Sequence, residues 1–183
     1  MLKEVFQGLQ NRVMQPGGVQ PQMFKHFDWY NDQYDLNPAT QKLQVPFLTP
    51  AVFVEFLPYT PQSLSRRVQL IPLNFRLHLV SDIYSHSRAG MAEQAAALSH
   101  IDLANALHHL IHGHHYLIPA NAALGLPARA VYNTCARVRQ EPDHAYSNLV
   151  VCLMEYRTIA FDYSATRSTQ KMNNPLLVIK KPG

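Results

Sequence analysis

Apolar and polar residues alternate with the period of a β-strand in several stretches of the chain. The clearest run lies at residues 69–80, where every second side chain is apolar (Ile71, Leu73, Phe75, Leu77 and Leu79). Residues 24–30, 52–57, 129–139 and 149–163 are also typical of strands, and the last two runs predict a β-hairpin. Pro72 predicts that the early part of the 69–80 strand lies at a sheet edge or carries a bulge.

Two other stretches follow the helical period. The N-terminal residues predict an amphipathic helix that ends before Pro16, with Leu2, Val5, Phe6, Leu9 and Val13 on its apolar side. A second helix is predicted to begin near Ser99 and to end at Gly113, with Leu103, Leu107, Leu110 and Ile111 as its apolar stripe. Together the elements predict an α+β fold, with a mainly antiparallel sheet and helices packed on one face.

The chain of 183 residues is long enough for one packed domain, which we place at residues 1–165. Residues 166–183 form an extended C-terminal segment, because the polar stretch that opens it shows no periodicity. Its only apolar run is β-prone (Leu176, Leu177, Val178 and Ile179) and would expose hydrophobic surface if left alone. We therefore expect this run to contact another subunit or protein.

The formal net charge of +4 comes entirely from the last third of the chain. Residues 129–183 carry eight basic and four acidic side chains, whereas residues 1–128 carry eight of each. Period-two counting puts Arg129, Arg137 and Arg139 on one face of a strand, where they could contact a phosphate backbone or simply face water. Only 15% of the residues are charged, below the typical ~25%, which is expected of a surface partly covered by partners.

No apolar run is long enough for a membrane span, and the N-terminus lacks a signal-peptide core. We therefore expect the protein to remain in the cytoplasm where it is made. The two cysteines, Cys135 and Cys152, lie in strand-like runs and are predicted to be buried thiols rather than a disulfide.

The stretch HHLIHGHH, residues 108–115, holds five of the ten histidines and raises the question of a metal enzyme. His108 and His112 have the spacing of a two-histidine zinc site, but the metalloprotease pattern also requires Glu directly after the first histidine, and His109 stands there. Histidines near the C-terminal end of a helix are more simply solvated side chains. Phosphate-loop, dinucleotide and nucleophile-elbow motifs do not occur, so we expect no catalytic residues, no cofactor and no metal.

The order of these elements resembles the tail terminator or tail-completion proteins of long-tailed bacteriophages. The resemblance covers roughly residues 1–165 and rests on an opening helix, TPAVFVEF, a strand ending in LHLVSD, a helix reading HIDLANALHHLIHG and a hairpin strand YSNLVVCLMEYRTIAFDYSA. The family implies an α+β subunit of a hexameric ring in the virion that caps the tail tube, ends tail growth and provides the surface for head joining. The implied partners are further copies of the chain, the tail tube protein, head-tail connector proteins and passing DNA. The longer loop at residues 31–46 and the segment after residue 165 depart from the family pattern.

Two alternatives stay open at this point. Another phage neck or connector protein, or an adaptor of a contractile injection system, would share the same α+β core and differ in its partner. A zinc-dependent hydrolase centred on His108 and His112 would differ in chemistry, and metal analysis separates it from the structural proteins.

Overall fold

The structure, a computed structural model, describes residues 1–15, 23–34, 46–65, 68–82, 92–121, 123, 127–141, 144–146 and 149–163. In chain order the elements are α1 (Leu2–Met14), β1 (His26–Trp29), β2 (Ala51–Phe56), β3 (Gln62–Ser63), β4 (Gln69–Asp82), α2 (Ala92–Ile111), β5 (Tyr116–Ile118), β6 (Arg129–Tyr132), β7 (Ala136–Gln140), β8 (His144–Tyr146) and β9 (Leu149–Asp162). Most of the predicted loop at residues 31–46 lies outside the described residues. The whole C-terminal segment 166–183, with Leu176, Leu177, Val178 and Ile179, also lies outside them.

All nine strands belong to one sheet with the principal order β1-β2-β4-β9-β6-β5. β3 adds to β4, and β7 and β8 add to β9. β1 and β2 are parallel, and the other pairs are antiparallel. At the centre β4 and β9 pair along their full length, from Gln69 opposite Asp162 to Asp82 opposite Leu149. The prediction of an α+β fold with a mainly antiparallel sheet is therefore confirmed.

The main core lies between the sheet and the two helices. Its largest part is the inner face of β4 and β9, where alternate side chains are almost fully buried (Ile71, Leu73, Phe75, Leu77, Leu79, Cys152, Met154, Tyr156 and Ala160). Apolar residues from α1 and α2, including Val5, Leu9, Leu107 and Ile111, pack on this face. Both helices therefore cover the same side of the sheet, as the two apolar stripes predicted.

A smaller apolar group covers part of the opposite, outer face. Tyr34 and the partly buried Tyr30 and Phe47 pack there on outward-facing strand residues (Ala51, Phe53, Val80, Leu149 and Val151). This covering lies over the end of the sheet where β4 finishes and β9 begins.

Pro72 lies in a central strand, but its position is locally that of an edge. β4 pairs with β3 through Gln69 and Leu70, and with β2 from Phe75 onward. The Asn74 carbonyl points toward β2 and accepts from the Leu57 N–H at 3.0 Å. Residues two apart in a strand direct their backbone groups to the same side, so the nitrogen of Pro72 also points to the side of β2 and β3. The missing N–H therefore falls in the interval between β3 and β2, where the described strands leave no ladder bond to break.

Two sequence predictions about element bounds are wrong. α2 begins at Ala92 rather than near Ser99, because the stretch AEQAAAL is rich in strong helix formers and extends the helix before its apolar stripe begins. The run 129–139 is two strands, β6 and β7, because the chain leaves the ladder after Asn133, whose N–H still donates to the Ile159 carbonyl at 2.9 Å. Cys135 turns into the core there, and its backbone bonds to the turn after α2 instead of to β9.

Candidate functional site

The histidine-rich stretch spans the C-terminal end of α2 and the turn that follows. Gly113 ends the helix in the left-handed conformation (φ 79°), as its place in the sequence predicted. Its N–H donates to the Cys135 carbonyl at 2.9 Å, and the Cys135 N–H donates to the His114 carbonyl at 2.8 Å. These two bonds hold the turn against the segment between β6 and β7. They explain why the chain leaves the sheet at Cys135.

His108 packs on the central strand β9. Its Nδ1 lies 3.1 Å from the Tyr156 hydroxyl, which in turn donates to Met154 Sδ at 3.9 Å. Tyr156 therefore occupies the Nδ1 of His108. Burial lowers the pKa of His108, and the nearby Arg137, His112 and His109 lower it further.

His112 and Arg137 complete a group that we name the histidine-arginine cluster: His108, His109, His112 and Arg137. The ring centroids of His108 and His112 are 4.9 Å apart, and those of His108 and His109 are 6.1 Å apart. The backbone N–H of Arg137 donates to His112 Nδ1 at 3.4 Å, which leaves the Nε2 of His112 as the ring donor. In the described part of the chain, no carboxylate forms an ion pair with any of the four side chains.

The prediction that Arg129, Arg137 and Arg139 share one strand face is wrong. β7 has a register shift between Arg137 and Arg139, so Arg137 lies opposite Tyr156 and Arg139 lies opposite Glu155. Adjacent residues of β9 point to opposite faces, and the shift therefore puts Arg137 on the helix side of the sheet and Arg139 on the outer side. A bulge of this kind leaves no signal in the alternation of residue types.

Arg129 and Arg139 have acidic neighbours. The Arg129 guanidinium pairs with Glu4 of α1 and lies 5.3 Å from the ring centroid of Tyr163. Arg139 lies 3.5 Å from the Glu141 carboxylate and is two-thirds exposed. The Arg137 guanidinium instead donates to the neutral amide of Gln140 at 2.9 Å. Of the three arginines, Arg137 is thus the one whose charge is not balanced by a carboxylate among the described residues.

His114 lies on the other side of the turn, against β6. Its Nδ1 is 2.9 Å from the Tyr132 hydroxyl. Burial lowers the pKa of His114 to about 4, with further lowering by Arg12 and His115. The Arg12 Nε–H donates to the Leu110 carbonyl at 2.9 Å, so a cation caps the end of α2 and stands close to the imidazoles.

The described residues contain no group of three His, Cys, Asp or Glu side chains arranged to hold a metal ion. The chemistry of a catalytic zinc would need a third protein ligand beside His108 and His112, and Arg137 next to that pair would repel a dication. Cys135 and Cys152 are buried free thiols, as predicted, and burial raises the pKa of Cys135 to about 12.

A second candidate surface is a groove on the outer face that the sequence did not predict. It has a volume of about 550 Å³ and lies between β4, β9 and the link from β6 to β7. Its accessible lining is mixed in character (Pro72, Asn74, Asn133, Thr134, Arg157 and Ile159). The groove lies where the chain leaves β9 after Asn133. The only feature of the sequence that could have indicated this groove is the position of Arg157 on the outer face of the 149–163 run.

A polar network separates this groove from the apolar group on the outer face. His78 is buried, with Nδ1 2.7 Å from the Tyr34 hydroxyl and Nε2 3.2 Å from the Glu55 carboxylate. The ring of Tyr30 stacks on His78 at a centroid distance of 4.1 Å, and Arg76 pairs with Glu55 at 3.1 Å. Burial lowers the pKa of His78, against the opposing effect of Glu55. The network fixes residues 30–34 on the sheet, and every polar atom of the His78 ring is used inside it.

Comparison with models of known protein families gives no match, and comparison with curated protein sequences gives none either. Among the residues that the structure describes, no helix is both long enough and apolar enough to span a bilayer.

Proposed function

We propose that this chain is a structural subunit of a phage virion, located at the tail or neck. Copies of it form a ring that caps the tail tube, ends tail growth and provides the surface to which the head joins. The proposal rests on the order of elements that resembles tail terminator proteins, and on one observation of the structure, which is the accessible outer face at the centre of the sheet.

This face has the character of a contact surface rather than of an ordinary solvated one. Ile159 lies at the centre of the sheet with 38% of its surface exposed, next to the exposed Pro72 and above the groove. Arg157 extends from the same face and forms no ion pair with any described residue. An apolar centre with a neighbouring arginine is the composition enriched in protein interfaces. A neighbouring copy in a closed ring would cover it.

Measurement of the native mass tests the ring directly. The resemblance implies six copies, and we expect a closed oligomer that retains tail tube protein when the two are mixed. Ile159→Asp should dissociate the oligomer, because it would bury a charge at the contact. Leu98→Asp is the matched control, since Leu98 is 52% exposed on α2, on the opposite side of the sheet, and this variant should assemble normally. A wild-type chain that stays monomeric at every concentration would refute the proposal.

The C-terminal segment gives a second test. We expect the apolar run Leu176, Leu177, Val178 and Ile179 to pair with a sheet edge of a neighbouring subunit or of the tail tube protein. Deletion of residues 166–183 should then weaken assembly while the domain still melts cooperatively. Deletion of residues 180–183 alone, which keeps the apolar run, is the control and should have little effect. Unchanged rings and unchanged joining to tail tubes after the longer deletion would show that the segment is dispensable.

A further inference from the structure

We propose that the histidine-arginine cluster binds the phosphate backbone of nucleic acid, which for a ring in the neck of a virion is the duplex DNA that passes through it. The identification of this nucleic acid as duplex DNA rests on the proposed function. The binding site itself rests on the placement of four side chains and on the charge of Arg137.

The first observation is that the Arg137 guanidinium and three imidazoles lie together at this site without a carboxylate among the described residues. The groups that act on His108 are Arg137 from β7 and His109 and His112 from its own helix, and each of them lowers its pKa. The other groups that face the site are the neutral phenol of Tyr156 on β9 and the turn residues His114 and His115, which lie nearer to Arg12 of α1. None of these groups is a carboxylate, and no carboxylate of the described residues pairs with them. An anion at this surface would pair with the Arg137 guanidinium.

The second observation is that contacts within the protein use one ring nitrogen of His108 and one of His112. The Nδ1 atoms of His108 and His112 are used by Tyr156 and by the Arg137 backbone, so the outer nitrogen of each ring is the one left for a ligand. In neutral His112, whose Nδ1 accepts from the Arg137 backbone, the Nε2 carries the proton and donates. Arg137 and His112 are both exposed. Arginine and histidine donors on an open surface are suited to phosphate oxygens.

The third observation concerns the extent of the site. The ring of His108 lies 4.9 Å from that of His112 and 6.1 Å from that of His109, and the Arg137 backbone, on the neighbouring strand, contacts His112. A row of donors along a helix end and a strand is suited to an extended chain of phosphates more than to a single anion. Contacts of this kind read no base sequence, so the site should accept duplexes of any sequence.

The test is binding of a labelled random-sequence DNA duplex to the purified full chain, measured by fluorescence anisotropy. Arg137→Gln should reduce the slope of log affinity against log salt concentration by about 1, as expected for one lost phosphate contact. The ratio of the wild-type DNA affinity to that of this variant should therefore fall about threefold between about 50 mM and about 200 mM salt. The double variant His112→Gln with Arg137→Gln should bind more weakly than either single variant, and Arg137→Lys should restore most of the affinity.

Arg139→Gln is the matched control. It removes the same charge from the same strand, but Arg139 points to the outer face and pairs with Glu141. If binding depends only on net charge, Arg137→Gln and Arg139→Gln will lose affinity equally, and the proposed site is wrong. Both side chains are exposed, so both variants should melt at the wild-type temperature.

Native mass separates this inference from the proposed function. Arg137→Gln should form the same oligomer as wild type while it loses DNA affinity. Normal rings with equal DNA binding in wild type and Arg137→Gln would overturn the DNA site and leave the proposed function standing. A monomeric wild type whose DNA binding still depends on Arg137 would support the site and refute the ring.

Discussion

Replacement of Gly8, in the middle of α1, by alanine should destabilise the protein, although alanine is the stronger helix former. The exchange normally stabilises an exposed helix interior by about 1 kcal/mol. Here, however, an added Cβ would lie 2.8 Å from Cδ1 and 2.9 Å from Cγ of Tyr116, and 2.9 Å from Cε1 of Tyr132. These are ring atoms of two side chains packed between α1 and the sheet, and the Tyr132 hydroxyl is also held by His114. The rings therefore cannot give way without moving the helix or losing a hydrogen bond.

The expected size follows from two opposing effects. Overpacking of a core costs about 1 to 3 kcal/mol, and the gain in helix propensity returns about 1 kcal/mol. The net expectation for Gly8→Ala is thus a loss of up to about 2 kcal/mol. For a chain of this length it corresponds to a fall in melting temperature of up to about 8 °C, since 1 kcal/mol shifts it by about 2 to 4 °C.

Calorimetry of Gly8→Ala beside Asn11→Ala checks this expectation. Asn11 is exposed on the same helix, so its replacement by alanine should raise the melting temperature slightly. In a Tyr116→Ala background, Gly8→Ala should cost less than it does in the wild type, because the nearest ring is gone. A rise in the melting temperature of Gly8→Ala equal to that of Asn11→Ala would show that α1 does not need the close approach.

Three further outcomes are expected. Tyr34→Phe should lower the free energy of unfolding by about 1 to 3 kcal/mol, because it leaves the Nδ1 of buried His78 without its partner, and denaturant titration would show no change if the contact is unimportant. His114 should make stability depend on pH: its folded pKa of about 4 lies below the unfolded value of 6.5, so its contribution is complete above about pH 6.5 and is lost as the pH falls toward 4. Partial solvation reduces this loss to about 1 to 2 kcal/mol, and the pH slope of unfolding should be shallower in His114→Gln than in wild type. Elemental analysis should find no stoichiometric zinc, and His108→Ala with His112→Ala should leave assembly intact; one zinc per chain retained after dialysis would revive the hydrolase alternative.

The amino-acid sequence by itself determined the helices and strands that bury the same face along their whole length. The runs that form β4 and β9 alternate over many residues because one face of each strand is buried from end to end. The alternation can be recognised in the sequence of any strand that is buried in this way. The two apolar stripes placed both helices on the same side of the sheet for the same reason. The end of α2 was also predictable, since a glycine there meets a local need for positive φ.

The tertiary structure alone decided the candidate sites, because each of them depends on contacts between residues far apart in the chain. Arg137 and Arg139 lie on opposite faces because β7 shifts its register on β9 between them. Before β7, the backbone of Cys135 bonds to the turn after α2, which breaks the strand. The same break opens the groove beside Arg157. Alternation of residue types carries no information about a register shift, since one extra residue exchanges the faces without changing the pattern on either side of it.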